Sequence, residues 1–145
     1  MIYFINDTYY LIKKHYLFLT QVYQEIKKFL KIKDDDHITI KFSSKKQQKK
    51  LINQFYKNHR SFNVLTFPYE DKTCIKNNIN YLGDISICLK VIKQDAKRYN
   101  NSFLKELSYI FIHSILHLYH FDHQEKEEAK IMQKLTTKIL TIFNL

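Results

Sequence analysis

The chain has few of the residues that interrupt or cross-link a fold: one glycine, one proline and two cysteines among 145 residues. Cys74 and Cys88 form neither a Cys-x-x-Cys pair nor the spacing of a zinc ribbon. We expect free thiols rather than a disulfide, because no secretory signal is recognisable. No internal repeat or low-complexity linker divides the sequence, and its length suits a single domain over residues 1–145.

A long hydrophobic run is also missing. The N-terminal stretch MIYFINDTYYLIKKHYLFL is interrupted by Asp7, Lys13 and Lys14, whereas a membrane span needs about 20 consecutive apolar residues. The stretch therefore has the character of neither a signal peptide nor a transmembrane helix. We expect a soluble, cytoplasmic protein.

The residues that are abundant are hydrophobic and basic. Hydrophobic residues make up 45% of the chain, which favours a globular core over disorder. The formal net charge is +10, and a basic surface attracts polyanions such as nucleic acid, although lysine also accumulates by drift in AT-rich genomes. The segment from Lys41 to Arg60 holds seven basic residues, three aromatic residues and no acidic residue. It predicts either phosphate contact with base stacking or a solvated helix face.

Hydrophobic periodicity predicts four strands and five helices in the order βαβαββααα. The expected strands are residues 2–5, 38–42, 63–67 and 81–89, and the expected helices are residues 11–30, 44–56, 90–99, 102–119 and 123–142. Strands that give way to helices toward the C-terminus indicate an α+β fold with a small mixed sheet. The acidic run 34–36 predicts a turn. Gly83, inside the last strand, predicts a β-bulge or the close approach of another backbone.

Four of the seven histidines fall in the eleven residues HSILHLYHFDH, from His113 to His123. His113 and His117 are four residues apart on a predicted helix, so both imidazoles lie on one face and can reach one metal ion. Three histidines with an open fourth position are typical of catalytic zinc, while iron, copper and nickel also accept imidazole ligands. A set of partly buried histidines without a metal is the alternative.

The third ligand is either His120 or His123. His120 continues the helical face at seven residues from His113, whereas His123 requires the chain to turn. Asp122 followed by Glu125 predicts a capping box, and therefore a new helix that starts near His123. A turn before this helix would fold His123 back over the first two histidines and would place His120 in the turn itself.

The stretch HSILHLYHFDH resembles the HGxLHLxGYDH signature of the YbeY family, and two further segments resemble that family in the expected order. FNVLTFPYE is similar to its TDVLSFPxE segment, and YLGDISIC is similar to its LLGDIxIS segment. The resemblance implies a zincin-like α+β fold in which a small mixed four-stranded sheet packs against about five helices. It also implies one zinc ion per chain, held by His113, His117 and His123.

The same resemblance implies an activity. It implies a single-strand-specific endoribonuclease that acts in ribosomal RNA processing, at the 3′ end of the small-subunit RNA, and in ribosome quality control. We therefore expect a hydrolase of RNA phosphodiester bonds, with ribosomal RNA and the ribosome as partners and no membrane association. Two alternatives stay open: a metal-dependent hydrolase of another substrate such as a peptide, and a non-catalytic RNA-binding or ribosome-binding factor.

The chain departs from the family pattern at several positions. Ser114 replaces the glycine after the first histidine, His120 replaces the turn glycine, and Phe121 replaces a tyrosine. The family also carries a basic residue, usually arginine, upstream of its TDVLSF segment. Lys57 is the best counterpart, and Arg60 is the other candidate for phosphate contact. A lysine holds phosphate as a point charge and lacks the planar fork of arginine.

The sequence leaves the general base open. Zinc peptidases with a His-Glu-x-x-His motif carry a glutamate directly after the first histidine, and Ser114 at that place argues against peptide hydrolysis. Glu106 lies two turns before His113 on the same side of the predicted helix. It is therefore a candidate base or a candidate partner for a metal-binding histidine, and an exposed helix glutamate is the alternative.

Overall fold

A computed structural model describes residues 1–33, 35–56, 62–69 and 80–145. Within these ranges the strands are β1 (Ile2–Asn6), β2 (Asp36–Phe42), β3 (Val64–Pro68) and β4 (Asn80–Ile87). The helices are α1 (Tyr16–Leu30), α2 (Lys45–Phe55), α3 (Leu89–Arg98), α4 (Phe103–Leu118) and α5 (Lys126–Ile142), and a short 3₁₀ helix (Ile12–His15) precedes α1. The predicted α+β class and the order βαβαββααα are confirmed.

The four strands form one mixed sheet in the order β1-β2-β4-β3. β1 and β4 both run parallel to β2, whereas β3 runs antiparallel to β4. Parallel neighbours need a crossover, and α1 supplies it between β1 and β2. β3 is an edge strand, and among the described residues its outer side pairs with no further strand.

Helix α4 lies at the centre of the hydrophobic core. It packs against α1, α3 and α5 and against strands β3 and β4. Most of its side chains are buried, which explains why its sequence is apolar around most of its circumference. The sheet contributes fully buried side chains to the same hydrophobic core, namely Ile38, Ile40, Phe42, Ile85 and Ile87. The position of α4 is therefore fixed by packing on nearly every side.

Gly83 was predicted to mark a β-bulge or the close approach of another backbone, and the structure shows both features. The pairing of β2 with β4 shifts register between His37 and Ile38, so Leu82 is left over as a β-bulge beside the glycine. The φ angle of Gly83 is +141°, and a Cβ there would lie 2.2 Å from the carbonyl oxygen of Phe67. Only glycine fits this close approach of β3 to β4.

No helix in the described part of the chain combines the length and the apolar character needed to cross a bilayer.

The N-terminal end of α2 is closed by reciprocal hydrogen bonds between Ser44 and Gln47. The Ser44 hydroxyl accepts from the Gln47 backbone N–H, and the Gln47 side chain accepts from the Ser44 backbone N–H. These reciprocal bonds form a capping box.

Candidate metal centre

Helix α4 positions the first two histidines. His113 and His117 are one helical turn apart, and their Nε2 atoms lie 3.0 Å from each other. The Nδ1 atom of His117 lies 2.9 Å from the carbonyl oxygen of Phe121. Because a carbonyl oxygen only accepts hydrogen bonds, Nδ1 of His117 carries the proton and its Nε2 presents a lone pair. Metal-binding histidines commonly donate their second ring N–H in this way.

The turn after α4 brings the third histidine to the other two. His120 has a φ of +64°, and its N–H donates to the carbonyl of His117 at 2.9 Å. The N–H of Phe121 donates to the carbonyl of Leu116 at 3.0 Å. These two bonds form a Schellman motif, which ends the helix and turns the chain back. The prediction that His120 sits in the turn is confirmed, and the left-handed backbone explains why glycine suits this position.

The predicted capping box at Asp122 and Glu125 is wrong. Helix α5 begins at Lys126, and Glu125 precedes it without a side-chain capping bond. Asp122 instead accepts from the N–H of His123 through Oδ1 at 2.6 Å. The chain turns because α4 ends in a left-handed residue, and the new helix starts three residues later than predicted.

The three histidines converge on one point. The ring centroids of His113, His117 and His123 are between 4.6 and 5.5 Å apart. One nitrogen from each ring lies within 4.8 Å of the others, so the group could hold a metal ion. Tetrahedral zinc with Zn–N bonds of about 2.0–2.1 Å places its ligand nitrogens roughly 3.3 Å apart. His120 lies outside this group.

Burial keeps the first two imidazoles neutral. Burial, with smaller contributions from the neighbouring His117 and His123, lowers the pKa of His113 to about 4. Burial also lowers the pKa of His117, against the opposing effect of its hydrogen bond to the Phe121 carbonyl. Neutral imidazoles offer lone pairs at physiological pH, so this donor set fits a divalent transition-metal ion.

The histidines open into a cleft of about 870 Å³. The residues of β3 and its approach that line the opposite side are Asn63, Val64, Leu65, Thr66 and Pro68. Tyr109, one turn before His113, stacks beside its ring with centroids 6.1 Å apart. The Tyr56 hydroxyl donates to the carbonyl of Thr66 at 2.9 Å and so supports the edge strand. A substrate in this cleft would lie between the sheet edge and the three imidazoles.

The remaining candidate site residues and the cysteines include some that lie outside the described residues and some that the structure describes. Lys57, Arg60 and Cys74 lie outside the described residues, so phosphate contact by Lys57 or Arg60 stays a prediction. Glu106 is buried, and its Oε2 accepts from the side-chain amide of Asn101 at 3.0 Å. The alternative of an exposed helix glutamate is therefore wrong, whereas the role of Glu106 as a base or as a partner of a metal-binding histidine stays a prediction. Cys88 is a buried free thiol.

Ser114 is accommodated without touching the site. Its side chain is fully buried, and its hydroxyl donates to the carbonyl of Ile110 at 2.7 Å. A serine can thus follow the first histidine because its polar group is satisfied within the helix. Neither Tyr109 nor the Phe121 carbonyl was predicted from the sequence. The spacing of four residues between Tyr109 and His113 was the available signal for the first, whereas no side-chain pattern reveals a backbone acceptor.

The fold and the site together define a class of protein, in which an α+β scaffold presents three imidazoles that could hold one metal ion in an open cleft. Residues 6–144 match the family described as Endoribonuclease YbeY, and the chain belongs to this family. The membership expected from the three sequence segments is confirmed.

Individual relatives agree with this assignment. A protein named Endoribonuclease YbeY from Buchnera aphidicola subsp. Acyrthosiphon pisum is 37% identical over 114 residues, which cover 79% of this chain and 72% of the relative. A protein of the same name from Clostridium botulinum strain Hall is 35% identical over 133 residues, covering 79% of this chain and 80% of the relative. The solution structure of a Thermotoga maritima protein matches this fold with a TM-score of 0.67. The two sequences are 28% identical, and the match covers 99% of this chain and 92% of that chain.

Proposed function

We propose that this chain is a zinc-dependent endoribonuclease that cleaves single-stranded RNA in ribosomal RNA processing and ribosome quality control, with the 3′ end of the small-subunit RNA as its substrate region. The observation that carries the proposal is the convergence of His113, His117 and His123 at an open cleft. Membership of a family whose relatives are named endoribonucleases supports the choice of RNA as substrate.

The residues of the chain have distinct roles in this proposal. The three histidines would hold the metal, and the Phe121 carbonyl fixes the ring of His117 with its Nε2 turned toward Nε2 of His113. Zinc held there would act as a Lewis acid and would lower the pKa of bound water to about 7. The edge strand β3 and Tyr109 border the space for the RNA strand. Lys57 or Arg60 balances the charge that builds on the phosphate.

The peptide-hydrolase alternative is disfavoured by the residue after the first histidine. Ser114 is buried with its hydroxyl bonded to Ile110, so no carboxylate stands at the place where His-Glu-x-x-His peptidases carry their base. The net charge of +10 also suits a polyanionic substrate better than a peptide.

RNA cleavage by zinc-loaded protein tests the proposal. The wild-type protein should cut an unstructured RNA, leave a perfect duplex and a casein peptide intact, and lose cleavage with chelator. His117→Ala should reduce kcat/KM roughly 10³-fold, because the metal loses a ligand.

His120→Gly is the matched control, because it removes an imidazole from the same turn but not from the ligand group. It should keep wild-type cleavage. Cleavage that survives both chelation and His117→Ala would contradict the proposal, and cleavage of the peptide instead of RNA would favour the alternative.

A further inference from the structure

A basic and aromatic surface lies outside the cleft of the three histidines, where the 3₁₀ helix, α3 and the start of α4 meet. Two adjoining grooves of about 490 and 310 Å³ share Tyr10, Lys93 and Phe103 in their walls. We call this the α3 surface, and its main residues are Tyr9, Tyr10, Lys90, Lys93, Lys97 and Phe103.

The charge of the α3 surface is positive and is not neutralised locally. Lys90, Lys93 and Lys97 are exposed and follow each other at three and four residues, so they lie on one face of α3. Among the described residues that line the two grooves, none is acidic. The one carboxylate of α3, Asp95, is buried on another side, where it contacts Arg98 and the amide of Asn63.

Aromatic rings stand among these lysines. The side chain of Tyr9 is fully exposed, so its ring contributes almost no packing to the fold. The ammonium nitrogen of Lys93 lies 4.6 Å from the ring centroid of Tyr10. This cation–π contact places a positive charge directly beside an aromatic ring. Rings for base stacking interleaved with lysines for phosphates are the combination that binds single-stranded nucleic acid. A duplex would offer phosphates but no unstacked base for the rings.

We propose that the α3 surface is a second binding site for single-stranded RNA, which holds one part of a strand while another part lies in the metal cleft. This inference rests on the proposed function for the class of substrate. Phe103 precedes His113 by ten residues on α4, which corresponds to about 15 Å along the helix. The two sites are therefore separate, and a single strand of several nucleotides is long enough to span this distance.

The test measures binding of a fluorescent 20-nucleotide 2′-O-methyl RNA to the zinc-loaded protein by anisotropy, over a series of salt concentrations. A gel after each titration shows that the RNA is intact. The triple variant Lys90→Ala, Lys93→Ala, Lys97→Ala removes three charges from the α3 surface. The control Lys130→Ala, Lys134→Ala, Lys138→Ala removes three exposed charges from α5. Circular dichroism checks that both variants are folded.

The α3 variant should raise Kd about tenfold or more and should reduce the slope of log Kd against log salt by about 2, because each phosphate contact contributes about 0.7 to that slope. The α5 control should change Kd by less than about twofold. Tyr9→Ala should raise Kd about tenfold without changing the slope, because it removes stacking and no charge.

Equal Kd values and salt slopes for the α3 variant and the α5 control would overturn the proposal and leave a solvated lysine face. Wild-type protein that binds RNA through the α3 surface but cuts no RNA would support this inference while contradicting the proposed function. The two claims can therefore fail separately.

Discussion

His120 occupies a backbone conformation that glycine adopts at lower cost. Its φ of +64° is required by the Schellman motif that ends α4, and a side chain in this region costs roughly 1–2 kcal/mol relative to glycine. We expect His120→Gly to raise the free energy of unfolding by about 1 kcal/mol in urea titrations. Zinc content should stay unchanged, and its loss would instead identify His120 as a ligand.

The buried imidazole of His113 should make the metal-free protein sensitive to acid. Its pKa of about 4 lies below the ordinary value of 6.5, so between these values the unfolded chain binds more protons than the folded one. The free energy of unfolding is therefore highest above pH 6.5 and falls as the pH is lowered toward 4. The lowered pKa of His117 acts in the same direction.

Urea midpoints of chelator-treated protein at pH 7 and pH 5 measure this effect. The midpoint should fall between these pH values in the wild type and should fall less in His113→Gln, which cannot be protonated there. An identical pH dependence in both proteins would show that His113 is not held neutral by burial.

At the scale of elements, a polar network ties the end of α4 to the sheet. The hydroxyl of Tyr119, the residue that caps α4, donates to Oδ2 of the buried Asp36 at 2.7 Å, and the side-chain amide of Asn80 donates to Oδ1 at 2.7 Å. Burial raises the pKa of Tyr119, as do its bonds with Tyr23 and Asp36, so the hydroxyl stays protonated and donates. This network holds the turn that brings His123 to His113 and His117.

Tyr119→Phe removes one donor from a buried carboxylate and should lower the free energy of unfolding by about 2 kcal/mol. Tyr23→Phe is the matched control, because its hydroxyl lies 3.5 Å from the Asp36 carbonyl and 3.2 Å from the Tyr119 hydroxyl. Its effect in thermal melts should be smaller. Equal losses in both variants would argue against a special role for the Tyr119 bond.

Helix α4 also shows which parts of an element can be predicted. Its apolar pattern and the spacing of His113 and His117 predicted the helix and the shared face of both histidines, because both depend on local geometry alone. Asp36 was expected in a turn but begins β2 as a buried residue. No local pattern distinguishes a solvated aspartate from one that accepts bonds from Tyr119 and Asn80, since those residues are distant in sequence.

At the scale of the whole molecule, the three family-like segments become neighbours. FNVLTFPYE contains β3, YLGDISIC lies largely in β4, and HSILHLYHFDH ends α4 and forms its turn. β3 pairs with β4, and α4 packs on both strands. Periodicity predicted the strands and the helix but not the sheet order that leaves β3 at the edge beside the cleft. Only the resemblance to the YbeY family indicated that the three segments form one site. That residues 1–145 form a single domain stays a prediction.

The central claim is that His113, His117 and His123 together hold one zinc ion. Elemental analysis of the wild type, His117→Ala and His120→Gly, purified side by side without chelator, tests it most directly. We predict about one zinc per chain in the wild type and in His120→Gly, and almost none in His117→Ala. A folded wild-type protein that takes up no transition metal, even after zinc is offered, would contradict the account.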